Sequence, residues 1–131
     1  MAAETDARSD RIALAQGVYF LTTGIWPIVH LPSFERVTGP KLDKWLVRMV
    51  GLLAASIGSS LLIARRRGAA SPEATALAVS SAAAFAAIDV YYVLKGRISP
   101  IYLADAAIEF GLIAAWARRA GRDARSSEPR G

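Results

Sequence analysis

Along most of the chain the polar positions gather into short clusters and the apolar positions run together. Four stretches, 12–31, 45–64, 74–94 and 101–117, are nearly free of charge. Each equals or approaches the ~20 residues that an α-helix needs to cross a hydrocarbon core. The first holds no Asp, Glu, Lys or Arg, the second holds Arg48, the third Asp89, and the fourth Asp105 and Glu109. None alternates with period two, as a membrane-spanning strand must, so all four predict helices.

Local chemistry agrees. Ser71-Pro72-Glu73 offers an N-cap, a first-turn proline and a first-turn acid to the third helix, and Ser99-Pro100 predicts the same kind of start for the fourth. Gly39-Pro40 lets the second helix begin within 41–44, ahead of its apolar run. Pro27 removes the backbone hydrogen bond to the Thr23 carbonyl and predicts a kink in the first. Phe34 and Val37, with Glu35 and Arg36, predict a short interfacial helix in the 32–44 connection. The first apolar run is read as a retained span, because Glu4, Asp6 and Asp10 precede it and no small-residue cleavage site follows. The fold expected is all-α: a polytopic membrane protein built as a four-transmembrane-helix bundle. It comprises a polar N-terminal tail (1–11), the transmembrane domain (12–117) and a disordered basic C-terminal tail (118–131).

Composition strengthens this reading. Of 131 residues 53% are hydrophobic before the ten glycines are counted, and there is no cysteine, which excludes a disulfide scaffold, a thiol nucleophile and a Cys-based zinc site. A net charge of +5 in a soluble domain would point to nucleic acid. Here the basic residues lie between apolar runs, so the expected partner is the lipid bilayer and not nucleic acid. Arg8, Arg11, Arg65, Arg66, Arg67, Arg118, Arg119, Arg122, Arg125 and Arg130 fall on one side of the bundle; Arg36, Lys41, Lys44, Lys95 and Arg97 fall on the other. The positive-inside rule then places both termini in the cytoplasm. The arginine runs at 65–67 and 118–125 are read as topology signals lying against an anionic leaflet. The preference for arginine over lysine and the abundance of alanine suggest a high-GC bacterium, and the location expected is the bacterial inner (plasma) membrane.

Small-residue ridges recur: Gly51, Ala55 and Ser59 on the second helix, Ala76, Ser80 and Ala84 on the third, Ala104, Ala107 and Gly111 on the fourth. Such ridges let helices approach closely in lipid. They serve either a compact monomer or a homo-oligomer or partner membrane protein.

Charged residues inside spans are costly and point to function. With the termini inside, Arg48, Asp89, Asp105, Glu109 and His30 all fall in the outer half of the membrane. Asp105 and Glu109 share a helix face with Tyr102 and Trp116; Gln16, Tyr19, Thr23, Trp26 and His30 share one on the first helix. The expected pocket therefore comprises His30, Arg48, Asp89, Asp105, Glu109, Trp26, Tyr92 and Tyr102. Asp105 is expected to pair with Arg48. Three carboxyl groups against one guanidinium leave negative charge to be balanced by protons, His30, loop cations or a bound cation.

Two functional readings follow: a pocket that binds or transports a small molecule, lipid or ion, with proton linkage, or a structural or accessory subunit whose charges form a salt-bridge network. A single histidine with three acids is a thin zinc set, so neither metal nor cofactor is expected. No GxSxG, HExxH or phosphate-loop motif occurs, so no enzymatic role or catalytic residue is assigned.

Two stretches, GIWPIVHLPSFERVTGPKLDKWLV (24–47) and IDVYYVLKGRISPIYLADAAIE (88–109), resemble a family of small four-helix bacterial integral membrane proteins without assigned activity. The resemblance covers about a third of the chain and implies the same fold and location. Small multidrug exporters are similar in size and helix number, but the embedded glutamate of their first helix has no counterpart here.

Overall fold

The computed structural model describes residues 2–68 and 70–129, and the side chains of these except at 2–6, 9 and 10. Five helices follow one another: α1 (Ala2–Val29), α2 (Leu31–Thr38), α3 (Lys44–Arg66), α4 (Pro72–Leu94) and α5 (Tyr102–Ser126); the described residues contain no strand. Three helical segments are long and apolar enough to cross a membrane: Arg11–Val29, Lys44–Arg66 and Pro72–Leu94. The charges of α5 keep it out of that set, although it packs against the others as a full member of the bundle.

The caps explain most helix limits. Ser71 caps α4, its hydroxyl accepting from the Ala74 N–H at 3.2 Å, with Pro72 in the first turn. Ser99 contributes only a long capping contact to the last helix, its hydroxyl accepting from the Ile101 N–H at 3.4 Å, and regular helix starts later. Ile101 occupies the N-cap position, and the chain enters α5 through i→i−3 turns, Tyr102 N–H to Ser99 O and Leu103 N–H to Pro100 O. The short helix at 32–44 is present as α2. His30 caps it, Nδ1 accepting from the Ser33 N–H at 3.2 Å, and Gly39 ends it at φ 90°, a value that favours glycine. Pro27 lies one turn from the end of α1, and its ring packs toward Gly51.

Both tails depart from expectation. Helix α1 already runs from Ala2, and α5 continues through 118–126, the segment expected as a disordered tail. Alanine and arginine are good helix formers, and the one glycine of this stretch, Gly121, costs the helix only about 1 kcal/mol.

The tightest contact in the molecule joins α1 to α3. These antiparallel helices meet backbone to backbone at two glycine pairs, Gly24 with Gly51 and Gly17 with Gly58, all four buried. A Cβ on Gly51 would stand 2.5 Å from the Gly24 carbonyl oxygen, and one on Gly58 2.6 Å from that of Gly17. On each helix the two glycines lie seven residues apart, so both pairs share one seam, ~10 Å apart along the axis. The small ridge of α3 is thus spent inside the monomer.

Helices α4 and α5 form the second pair, and α1 meets α5 and α3 meets α4 more sparsely to close the ring. Ala13, Leu61, Ala78 and Trp116, one from each long helix, form the core cluster. On α4 the inward line Ala78, Ala82, Ala86 keeps the helices close, and Phe85 meets Phe20 of α1 edge to face, ring centroids 5.4 Å apart.

Replacing Gly24 or Gly58 by alanine forces a methyl group into the opposing backbone, where nothing flexible can yield. Each substitution should lower stability by roughly 1–3 kcal/mol, read as a lower midpoint in detergent unfolding. Gly111→Ala, whose added methyl meets nothing within 4 Å, should be neutral or mildly stabilising; equal loss at all three positions would contradict the backbone seam.

Candidate functional site: a carboxyl cluster between α1, α4 and α5

Three acids converge where α4 and α5 face α1. Asp89 and Glu109 are 4% and 1% exposed, and Asp105 is half-buried. The spacing of Asp105 and Glu109 places both on the inner face of α5, and Asp89 ends the buried line Ala82, Ala86, Asp89 on α4. From α1, the Tyr19 hydroxyl donates to Asp105 Oδ1. The three acids lie close enough to act electrostatically on one another and on the Tyr19 phenol. Asp89 Oδ2 and Glu109 Oε2 are buried and make no hydrogen bond.

No described basic side chain forms an ion pair with these acids; the ion pair found among the described residues, Arg119 with Asp123, lies elsewhere on α5. Arg48, expected as the counter-ion, is exposed, and the partner of Asp105 is Tyr19 instead. Arg48 sits in the second turn of α3, where a long side chain can carry its charge toward the interface while its stem lies along apolar surface. His30 is also exposed and serves as the α2 cap. Trp26 braces the same helix, its indole N–H donating to Ser33 Oγ at 2.8 Å and its ring meeting Phe34 edge to face. Tyr92 is 40% exposed and meets Tyr91 edge to face. Tyr102 lies one turn from Asp105 on α5, with Lys41 Nζ 4.9 Å from its ring centroid. The eight residues expected in one pocket therefore divide: Asp89, Asp105 and Glu109 come together, Trp26 and His30 hold α2, Arg48 and Tyr92 lie on the surface, and Tyr102, partly buried, lies under the Lys41 ammonium.

Two residues outside that set matter. Tyr19 belongs to the cluster. Gln16, fully buried, joins three helices: its Nε2 donates to the Ala78 carbonyl at 2.8 Å, and its Oε1 accepts from the Trp116 indole N–H at 2.8 Å. The end of the bundle away from the three acids thus has a polar knot of its own. Both residues lie on the helix face that carries Trp26 and His30, which was the available signal.

Chemically, the cluster is an acid-rich site in a water-poor setting with no built-in cation. Among the described residues, no three His, Asp or Glu are placed to hold a metal ion. Phe20, buried beside Tyr19, and Phe85, one turn from Asp89, give it an aromatic flank. No family model, curated protein or solved structure matches this chain.

Two substitutions separate these roles. Arg48→Leu should fold with stability within about 0.5 kcal/mol of the parent, as a surface change does. Gln16→Leu leaves the Trp116 N–H buried without an acceptor and should cost about 1–2 kcal/mol, with a shift in tryptophan emission. Both are read in the same detergent unfolding titration. A severe loss from Arg48→Leu would restore it as the counter-ion.

Proposed function

We propose that the chain is a four-span bacterial inner-membrane protein, with both termini in the cytoplasm, that binds and carries a small organic cation at the carboxyl cluster in exchange for protons. The observation that carries this reading is the convergence of Asp89, Asp105 and Glu109 with the Tyr19 phenol and no basic partner. Buried carboxylates without a counter-charge are strongly unfavourable in a low dielectric. The site is therefore neutralised by protons when empty and by a cation when filled, and the two compete. An organic cation suits it better than a metal ion, because the acids are not set as metal ligands and Tyr19, Phe20 and Phe85 make the surroundings aromatic, which favours an ammonium or phosphonium group.

Helix α5 is the fourth span in this reading. Its 25 residues reach ~37 Å. Its acids turn toward the bundle, and Leu103, Ile108 and Phe110 are exposed, as lipid contact requires. The arginine-rich ends of α3 and α5 mark the cytoplasmic side. The site is closed around Asp89 and Glu109, and the sparse seam between α1 and α5 is where it would open. An accessory subunit held by internal ion pairs would need a cation at the cluster, and Arg48 is exposed.

Tetraphenylphosphonium serves as the probe. Added to purified protein in weak buffer with a pH-sensitive dye, it should release about one proton per cation bound, and its apparent affinity should fall as the pH is lowered because protons compete. Glu109→Gln and Asp89→Asn should each abolish the release while the protein stays folded. No binding, or binding without proton release at any pH, would overturn the proposal.

A further inference from the structure

A second site lies at the opposite end of the bundle. A groove of about 430 Å³ opens between the first turns of α4 and the later turns of α5. Its wall is mostly apolar, with Pro72 and Val79 among its residues, and the Trp116 indole forms its floor. Thr75, Arg119 and Asp123 are its polar side chains. The Arg119 side chain is only 13% exposed, yet its Nε is buried and makes no hydrogen bond. The nearest Asp123 oxygen stands 3.7 Å away, and the guanidinium lies over the Trp116 ring at 5.6 Å. A buried guanidinium N–H without an acceptor is costly, even beside a carboxylate that stands too far for a hydrogen bond.

We infer that this groove binds an anionic phospholipid from the adjoining leaflet, its phosphate on Arg119 and its glycerol and first acyl carbons along the apolar wall. Depth supports this: Pro72 opens the apolar segment Pro72–Leu94, so the groove lies where spanning helices meet headgroups, whichever way the bundle is oriented. Polarity supports it too, since Arg119 and Asp123 are its charged side chains and most of the remaining lining is apolar, as an amphiphile requires and a free anion does not. The surrounding charge is complementary. Arg65, Arg66 and Arg67 end α3 at this end of the bundle, and Arg118 and Arg122 flank Arg119 on α5; on α4 and α5 the described acids of this end are Glu73 and Asp123, with Glu4, Asp6 and Asp10 in the first segment of α1. A guanidinium can grip a phosphate with two parallel hydrogen bonds. Asp123 competes with the phosphate for Arg119 and is displaced when lipid binds. The volume suits a headgroup and glycerol, with the chains left in the bilayer. The inference does not depend on the carboxyl cluster.

Trp116 makes the site measurable. In a Trp26→Phe, Trp45→Phe background, the protein is reconstituted in phosphatidylcholine vesicles containing a minority of phosphatidylglycerol, with bromine on the acyl chains of one lipid or the other. Brominated phosphatidylglycerol should quench Trp116 far more, mole for mole, than brominated phosphatidylcholine. Arg119→Gln should weaken the preference roughly fivefold, and Asp123→Asn should strengthen it. Native mass spectrometry of the unsubstituted protein and of Arg119→Gln, counting retained phosphatidylglycerol, should give the same order without the tryptophan replacements. Equal quenching by the two lipids, or a preference unchanged in Arg119→Gln, overturns the inference. Loss of binding in Asp123→Asn would reassign the groove to a zwitterionic aminophospholipid, and displacement of the lipid by millimolar inorganic phosphate alone would reassign it to a soluble anion.

Discussion

The backbone contact between α1 and α3 sets what every other helix can do. In lipid there is no water to expel between helices, so association rests on close packing and interhelical hydrogen bonds. The four glycines let two carbonyl oxygens approach the facing helix where any side chain would hold it off; dispersion and weak Cα–H···O contacts then act over the whole seam. One face of α1 is thereby fully used. Its remaining inward face, with Gln16, Tyr19 and Phe20, is presented to α4 and α5.

That division gives the bundle a firm pair and a looser one. Between them the links are few and specific: Tyr19 to Asp105, Gln16 to Ala78 and Trp116, and the Phe20–Phe85 ring contact. The hydrogen bonds do not include an ion pair. Interhelical hydrogen bonds of this kind are modest in energy, so α4–α5 can move against α1–α3 without breaking a buried ion pair. The carboxyl cluster sits on that movable seam, which suits a site that must open to exchange its contents.

Much of the fold is legible in the chain because its causes are local. The Ser71-Pro72 start of α4, the Phe34–Val37 helix and the apolar spans depend on neighbours in sequence. The meeting of the three acids could also be anticipated, since helix periodicity and depth bring them together. Arg48 was misjudged because depth alone does not give rotation about the helix axis; Gly51 and Gly58 set that rotation, and their partners Gly17 and Gly24 stand out only once α1 and α3 are paired. Gln16 and Trp116 lie 100 residues apart and are uncharged, so a census of charges passes over their hydrogen bond. The helical extension of α5 was hidden by its arginines, which mark a membrane boundary and favour helix equally well.

The central claim is that the buried acids have no internal counter-ion and are neutralised by exchangeable protons. Infrared difference spectroscopy observes this directly, because a protonated carboxyl group absorbs apart from an ionised one. The account requires a protonated carboxyl band in the empty protein at neutral pH, altered in both Glu109→Gln and Asp89→Asn and bleached when tetraphenylphosphonium binds. A spectrum without that band, or a band that persists through both substitutions, would contradict it.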